Sequence, residues 1–225
     1  MNSGATLFLG LFVSMACSFL AFVLGPQLQI GNLAQTDTVV TGDASPQTYP
    51  IGQPGDAHQG AEIYRANGCT ACHTQMVRPW SLGPDIQHGW GVRRSVAEDY
   101  LFEQPVLLGT QRIGPDLANF GRRSDLNGIL FRLYDPRLIT PRSLMPSYRF
   151  LFEQHAIQGA ASPDALVLPA QIAPPAGYEV LARPQARALA AYLLSLRQDV
   201  YLFEAPPPPA PKTNAVPAAT NSTAK

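Results

Sequence analysis

Two cysteines and a histidine stand together at Cys69-Thr-Ala-Cys72-His73. This is the C-x-x-C-H spacing of c-type haem attachment. Two intervening residues let both sulfurs reach the two haem vinyl groups from one helical turn, and the adjacent imidazole then points at the iron. A thioredoxin-like C-x-x-C needs a βαβ setting, which the chain does not suggest. A structural zinc site needs four ligands, and no second cysteine pair exists. The third cysteine, Cys17, makes the count odd, which does not suit a disulfide framework.

An iron-bound imidazole needs an acceptor for its other ring nitrogen. Gly114-Pro115-Asp116-Leu117 offers one. It resembles the Gly-Pro-x-Leu segment of class I cytochromes c, which crosses behind the haem with the proline carbonyl as acceptor. That resemblance implies Pro115; an ordinary turn would explain Gly-Pro equally well. The sixth ligand should be Met or His. Outside the N-terminal apolar run the methionines are Met76 and Met145. Met76 lies three residues after His73, about one turn away, on the same side of the haem as His73. Met145, followed by Pro146 on a Pro-rich loop, can swing across to the opposite face and is the candidate. His88 and His155 are its rivals.

These residues must be positioned by a mainly α-helical frame. The candidate helices are 57–67, ending at Gly68; 124–134, stopped before Pro136; and 184–197, with Pro184 at its start and Leu189, Tyr192, Leu193 and Leu196 on one stripe. Few strands are expected. Gly60 and Tyr64 on one side and Tyr192 on the other suit the crossing of first and last helices found in class I cytochromes c, where a small residue permits close approach.

Ahead of this domain, residues 6–24 are nearly all apolar, and Gly25-Pro26 ends the run. Such a helix just spans a hydrocarbon core. A cleaved signal peptide would show a positive n-region and a small-residue cleavage site, and neither is clear. A lipoprotein signal ending at Cys17 would stop an apolar run that in fact continues. The expected organisation is a transmembrane anchor over 1–30, a polar linker over 31–55, a class I cytochrome c-like domain over 56–203, and a Pro/Ala-rich tail over 204–225 that cannot bury a core.

The 16 basic and 16 acidic residues cancel, giving no support for nucleic-acid binding. Fourteen of the basic residues are arginine, and Lys212 and Lys225 lie in the tail. Guanidinium groups suit carboxylates, and haem propionates are carboxylates; Arg78, Arg112, Arg122 and Arg123 are candidates, with a solvated role equally open. Asp116 and Glu103 are read as solvated or Arg-paired charges. No nucleophile, hydrolytic carboxylate pair or nucleotide loop is seen.

Three stretches, GCTACHTQMVRP (68–79), GTQRIGPDLANFG (109–121) and LYDPRLITPRSLMPSY (133–148), resemble the monohaem cytochrome c subunit (subunit II) of cbb3-type cytochrome c oxidases. The similarity covers roughly 60–152 and the C-terminal helix. Residues 80–91, the stretch 153–183 and the Pro-rich tail depart from the family pattern. The resemblance implies one covalently bound haem c and a single-pass anchor in the inner membrane, with the haem domain on the periplasmic side. It also implies electron relay to the catalytic haem–copper subunit, alongside another cytochrome c subunit or donor. The oxygen-reducing centre itself is not expected in this chain. Alternatives are the cytochrome c subunit of a nitric oxide reductase, a free-standing tethered cytochrome, and a gas sensor, which would need an open sixth site.

Overall fold

A computed structural model of the chain describes residues 3–39 and 46–209. Its N-terminal part is one helix from Ser3 to Ile30, long and apolar enough to cross a membrane, with no residue buried against the rest of the chain. It comprises α1 (Ser3–Phe19), a π-helical turn (Leu20–Leu24) and α2 (Gly25–Ile30). The helix thus continues past Gly25-Pro26, where the apolar run ends. Pro26 has no N–H to donate and its ring crowds the carbonyl four residues back. The helix widens just before it, the Gly25 N–H reaching back to the Leu20 carbonyl, and then continues. At about 1.5 Å per residue the 28 residues run about 42 Å, well beyond a hydrocarbon core of about 30 Å.

The stretch 31–55, expected to be a plain linker, contains a two-stranded antiparallel ribbon. In it β1 (Thr36–Val39) pairs with β2 (Pro46–Tyr49), Thr36 opposite Tyr49. Tyr49 is buried at the end of the ribbon. Its hydroxyl donates to Asp99 at 2.6 Å. Asp99 also receives a two-pronged bond from Arg93, at 2.6 and 3.0 Å, and Arg93 Nε donates to the Val200 carbonyl at 2.7 Å. Tyr49, Val96, Val200, Leu202 and Ala205 form a small apolar cluster beside this ion pair. The domain thus extends a little past its expected end at 203, since Ala205 is buried. Residues 210–225, the rest of the expected tail, lie outside the described residues.

The domain is built on three longer helices: α3 (Gly55–Ala66), α5 (Leu126–Tyr134) and α6 (Pro184–Ser195). A single turn, α4 (Phe120–Arg123), precedes α5. Asp125 caps α5 by accepting from the Gly128 N–H at 3.0 Å, satisfying a donor that the first turn leaves free. Proline starts α6, where its missing N–H costs nothing. Ile129, Leu130 and Leu133 of α5 and Leu189 and Leu193 of α6 share the core. Each such buried side chain contributes about 1.5–3 kcal/mol.

Helices α3 and α6 cross in close contact at Gly60. A Cβ there would stand 2.0 Å from the Ala188 carbonyl oxygen, so only glycine lets the two backbones meet. One turn on, the Tyr64 and Tyr192 rings pack with centroids 5.3 Å apart, tilted by 58°. A second antiparallel ribbon, β3 (Phe152–Ala156) with β4 (Tyr178–Ala182), lies across the ends of the departing stretch 153–183. Val180 and Ala182 turn inward at period two and join the core with Phe152. The fold is mixed, mostly helical with little sheet.

Candidate functional site

Helix α3 runs out at Ala66, the chain turns through Asn67 and Gly68, and a short 3-10 turn holds Cys69, Thr70 and Ala71. The segment that follows is laced to residues 108–117 by backbone bonds. The Thr110 N–H donates to the Thr70 carbonyl at 3.0 Å, Gly114 to Cys72 at 2.9 Å, Gln75 to Leu108 at 3.0 Å, and Leu117 to Thr74 at 2.7 Å. This lacing puts the Pro115 carbonyl 2.8 Å from His73 Nδ1. A carbonyl only accepts, so Nδ1 carries the proton and Nε2 keeps its lone pair free for a metal. Gly114 makes the approach possible, since a Cβ there would stand 2.3 Å from Cε1 of the His73 ring. Burial pushes the His73 pKa below its ordinary value, outweighing the Pro115 bond and the nearby Asp116 charge, and favours the neutral ring.

Asp116, expected to be solvated or Arg-paired, is fully buried. It accepts from the Thr74 hydroxyl at 2.6 Å, the Met76 N–H at 2.8 Å and the Ala118 N–H at 2.9 Å, with Arg112 3.7 Å away. It therefore braces the backbone on both sides of the His73–Pro115 contact. Sequence reasoning missed this role; an acid directly after Gly-Pro was its only signal. Glu103 is likewise not solvated. Burial pushes its carboxyl up to about 7, against a lowering bond from Leu107, with Asp99 adding to the rise, and its Oε2 has no hydrogen-bond partner. The folded state therefore holds a proton there that the unfolded chain releases near the ordinary carboxylate value. Stability should fall as pH rises from about 4.5 to about 7. Glu103→Gln is expected to remove that slope and to raise stability at pH 8 by on the order of 3 kcal/mol, read from thermal melts at pH 5 and pH 8.

Beyond His73 opens a cavity of about 650 Å³, within the usual range for small-molecule and cofactor sites. Cys69, Cys72 and His73 line it together with Pro115 and Met145. Leu117, Phe120, Ile129, Leu133, Leu189 and Leu193 give it an apolar wall. The Cys69 thiol is pushed up to about 11, mainly by burial and against a lowering bond from Tyr148. It is thus a neutral thiol at pH 7, unlike the activated thiolate of a redox C-x-x-C.

Met145 reaches the cavity on a loop folded back on α5. The Ser143 N–H donates to the Thr140 carbonyl at 2.8 Å and the Tyr148 N–H to the Leu133 carbonyl at 2.8 Å. The Met145 N–H donates to Ser143 Oγ at 3.2 Å. Met76 is exposed and is not part of the cavity wall. His88 stacks edge-on against Trp90, and His155 pairs with Glu153 on β3; neither lines the cavity. Among the described residues no group of three or more His, Cys, Asp or Glu side chains is placed to hold a metal ion.

The four arginines that were candidates for propionates, with a solvated role equally open, find partners within the protein. Arg78 and Arg112 share the buried Asp85, at 2.8 and 2.6 Å. Desolvation pushes the Asp85 carboxyl up, but the bonds from both arginines and the Arg78 N–H together hold it at about 2. Arg122 pairs with Asp199 at 2.9 Å. Arg123 donates to the Asp116 carbonyl at 2.5 Å and to the Asn119 carbonyl at 3.4 Å. Arg78, Arg112 and Arg123 find acceptors in the loops 76–85 and 116–123, and Arg122 finds Asp199 after the last helix.

The residues fit a haem. The cavity is large and apolar, the Cys69 and Cys72 thiols stand beside an imidazole with a free Nε2, and a thioether lies in the same wall. Arg132 Nε, also in that wall, is buried without a partner. Residues 14–187 match the family model described as cytochrome C oxidase, mono-heme subunit/FixO. No curated protein matches the chain.

Proposed function

This chain belongs to the family of mono-heme cytochrome c oxidase subunits, and from that membership we propose that it is the electron-relay subunit of a cbb3-type oxidase. The observation that carries the reading is the convergence of Cys69, Cys72, His73, Pro115 and Met145, drawn from three separate stretches, on one apolar cavity. Cys69 and Cys72 would hold the haem by two thioether bonds, and His73 and Met145 would ligate its iron. The domain is a class I cytochrome c-like fold on this reading, supported by the α3–α6 crossing at Gly60 and the Tyr64–Tyr192 contact.

The group would supply a one-electron redox couple between ferric and ferrous iron. The chain's own residues set how that couple is held. Pro115 fixes the proton of His73 on Nδ1 and aims Nε2 into the cavity. Met145 would close the sixth position, leaving no open site for a gas, as relay rather than sensing requires. The apolar wall keeps water away and so limits reorganisation as the charge changes. The helix Ser3–Ile30 would hold the domain at the inner membrane on the periplasmic side, beside the haem–copper subunit and another cytochrome subunit or donor.

The test is covalent attachment. The chain, expressed with the periplasmic maturation machinery, should retain one haem after denaturation and acid-acetone extraction. Cys69→Ala and Cys72→Ala should each weaken or abolish the haem stain. A wild-type polypeptide without stain would overturn the reading. Purification in mild detergent should carry along a multi-helix b-haem oxidase subunit; a lone cytochrome would point to the free-standing alternative.

A further inference from the structure

The arginines of this chain divide by what their side chains meet. Arg65, Arg78, Arg93, Arg112, Arg122, Arg149, Arg183 and Arg187 pair with carboxylates. Arg94, Arg123 and Arg197 donate to backbone carbonyls. Arg132, Arg137 and Arg142 do neither among the described residues; Arg137 is exposed and lies outside the cavity wall, whereas Arg132 and Arg142 line the cavity that holds His73 and Met145. Arg132 Nε is buried and has no hydrogen-bond partner. The cavity wall contains no Asp or Glu side chain. An apolar cavity with one buried guanidinium donor left open, at Arg132, and a second, exposed guanidinium at its rim, Arg142, is built for a guest that brings its own anions. Arg132 at the end of α5 and Arg142 on the loop after it, with the Thr140 and Ser143 hydroxyls nearby in that wall, mark one edge as the polar one.

We propose that Arg132 and Arg142 anchor the two propionate carboxylates of the haem. The inference rests on the haem reading above and adds the orientation of the group: propionates toward the α5–Met145 loop, vinyls toward Cys69 and Cys72. A guanidinium fork matches a carboxylate in two parallel bonds, and the cavity wall carries as many free forks as a haem has propionates. The arrangement also acts on the couple. A propionate paired with arginine exerts little net field on the iron, whereas one left unpaired stabilises the ferric state. Arg132 and Arg142 are thus positioning residues that hold the midpoint potential up.

The test uses the intact detergent-solubilised oxidase carrying Arg132→Gln, Arg142→Gln, Arg132→Lys, or Arg137→Gln as a control, because Arg137 is exposed and lies outside the cavity wall. The readouts are the haem stain of the denatured chain, the midpoint potential of the c-type haem, and the propionate bending bands in resonance Raman spectra. Arg132→Gln should keep the stain and shift the bands. It should lower the ferrous-to-ferric ratio at fixed ambient potential about tenfold, equivalent to about 59 mV for one electron. Arg142→Gln should act in the same direction, Arg132→Lys should restore part of the shift, and Arg137→Gln should change nothing. Unchanged potential and bands in Arg132→Gln and Arg142→Gln, with haem still attached, would overturn the proposal and leave the haem reading standing. Absence of stain from the wild-type chain would instead remove the haem reading itself. If Arg132→Gln does not accumulate, Arg132→Lys and Arg142→Gln decide by the same criteria.

Discussion

Met145→Ala is expected to abolish the weak near-infrared thioether-to-iron band and to let the ferrous haem bind carbon monoxide, whereas Met76→Ala should do neither. Met145 lines the cavity with His73, on a loop pinned to α5 by the Tyr148–Leu133 bond. Met76 is exposed, outside the cavity, with its backbone N–H bound to Asp116. A thioether is a soft neutral ligand that favours ferrous iron, so Met145→His should keep a low-spin spectrum but lower the midpoint potential. A band that survives Met145→Ala and disappears in Met76→Ala would reverse the assignment. A band unaffected by either would move attention to His88 or His155, both of which would have to leave their present contacts with Trp90 and Glu153.

Asp99→Asn is expected to be the most damaging single change away from the cavity. The Arg93 and Asp99 side chains are 1% and 0% exposed. Together they tie Tyr49 of the ribbon, the 93–99 loop and the Val200 segment. Removing one charge leaves the other buried without compensation, which costs about 3–5 kcal/mol. Urea titration of the haem-loaded chain, followed by haem absorbance, should show a loss of that size. Asp164→Asn breaks the Arg187 pair, whose side chains are 60% and 50% exposed, and should cost less than about 1 kcal/mol. Similar losses for the two variants would mean that the buried pair does not hold the junction together. The consequence is mechanical: this junction fixes how the ribbon, which follows the helix Ser3–Ile30 in the chain, joins the domain.

Residue types and spacing were enough to single out Cys69, Cys72 and His73 as candidates, because the C-x-x-C-H pattern is local, and the structure places all three in one cavity wall. They were also enough to favour Met145 over Met76, since a residue one turn from His73 lies on the same side of the ring. Helices at 55–66, 126–134 and 184–195 were legible in their caps, prolines and apolar stripes. The tertiary structure decided what depends on distant partners. Helix Ser3–Ile30 passes Pro26 because a π turn relieves the clash, and nothing in a hydropathy run announces such a turn. The 31–55 stretch holds a ribbon because Tyr49 finds Asp99 fifty residues later. The arginines sorted in the same way. Arg78, Arg112, Arg122 and Arg123 sit near the motifs in sequence but found acceptors in the folded loops. Arg132 and Arg142 face the cavity with none of their own. A guanidinium's partner is set by which acceptors the folded chain brings within hydrogen-bond reach, and sequence position does not encode that distance.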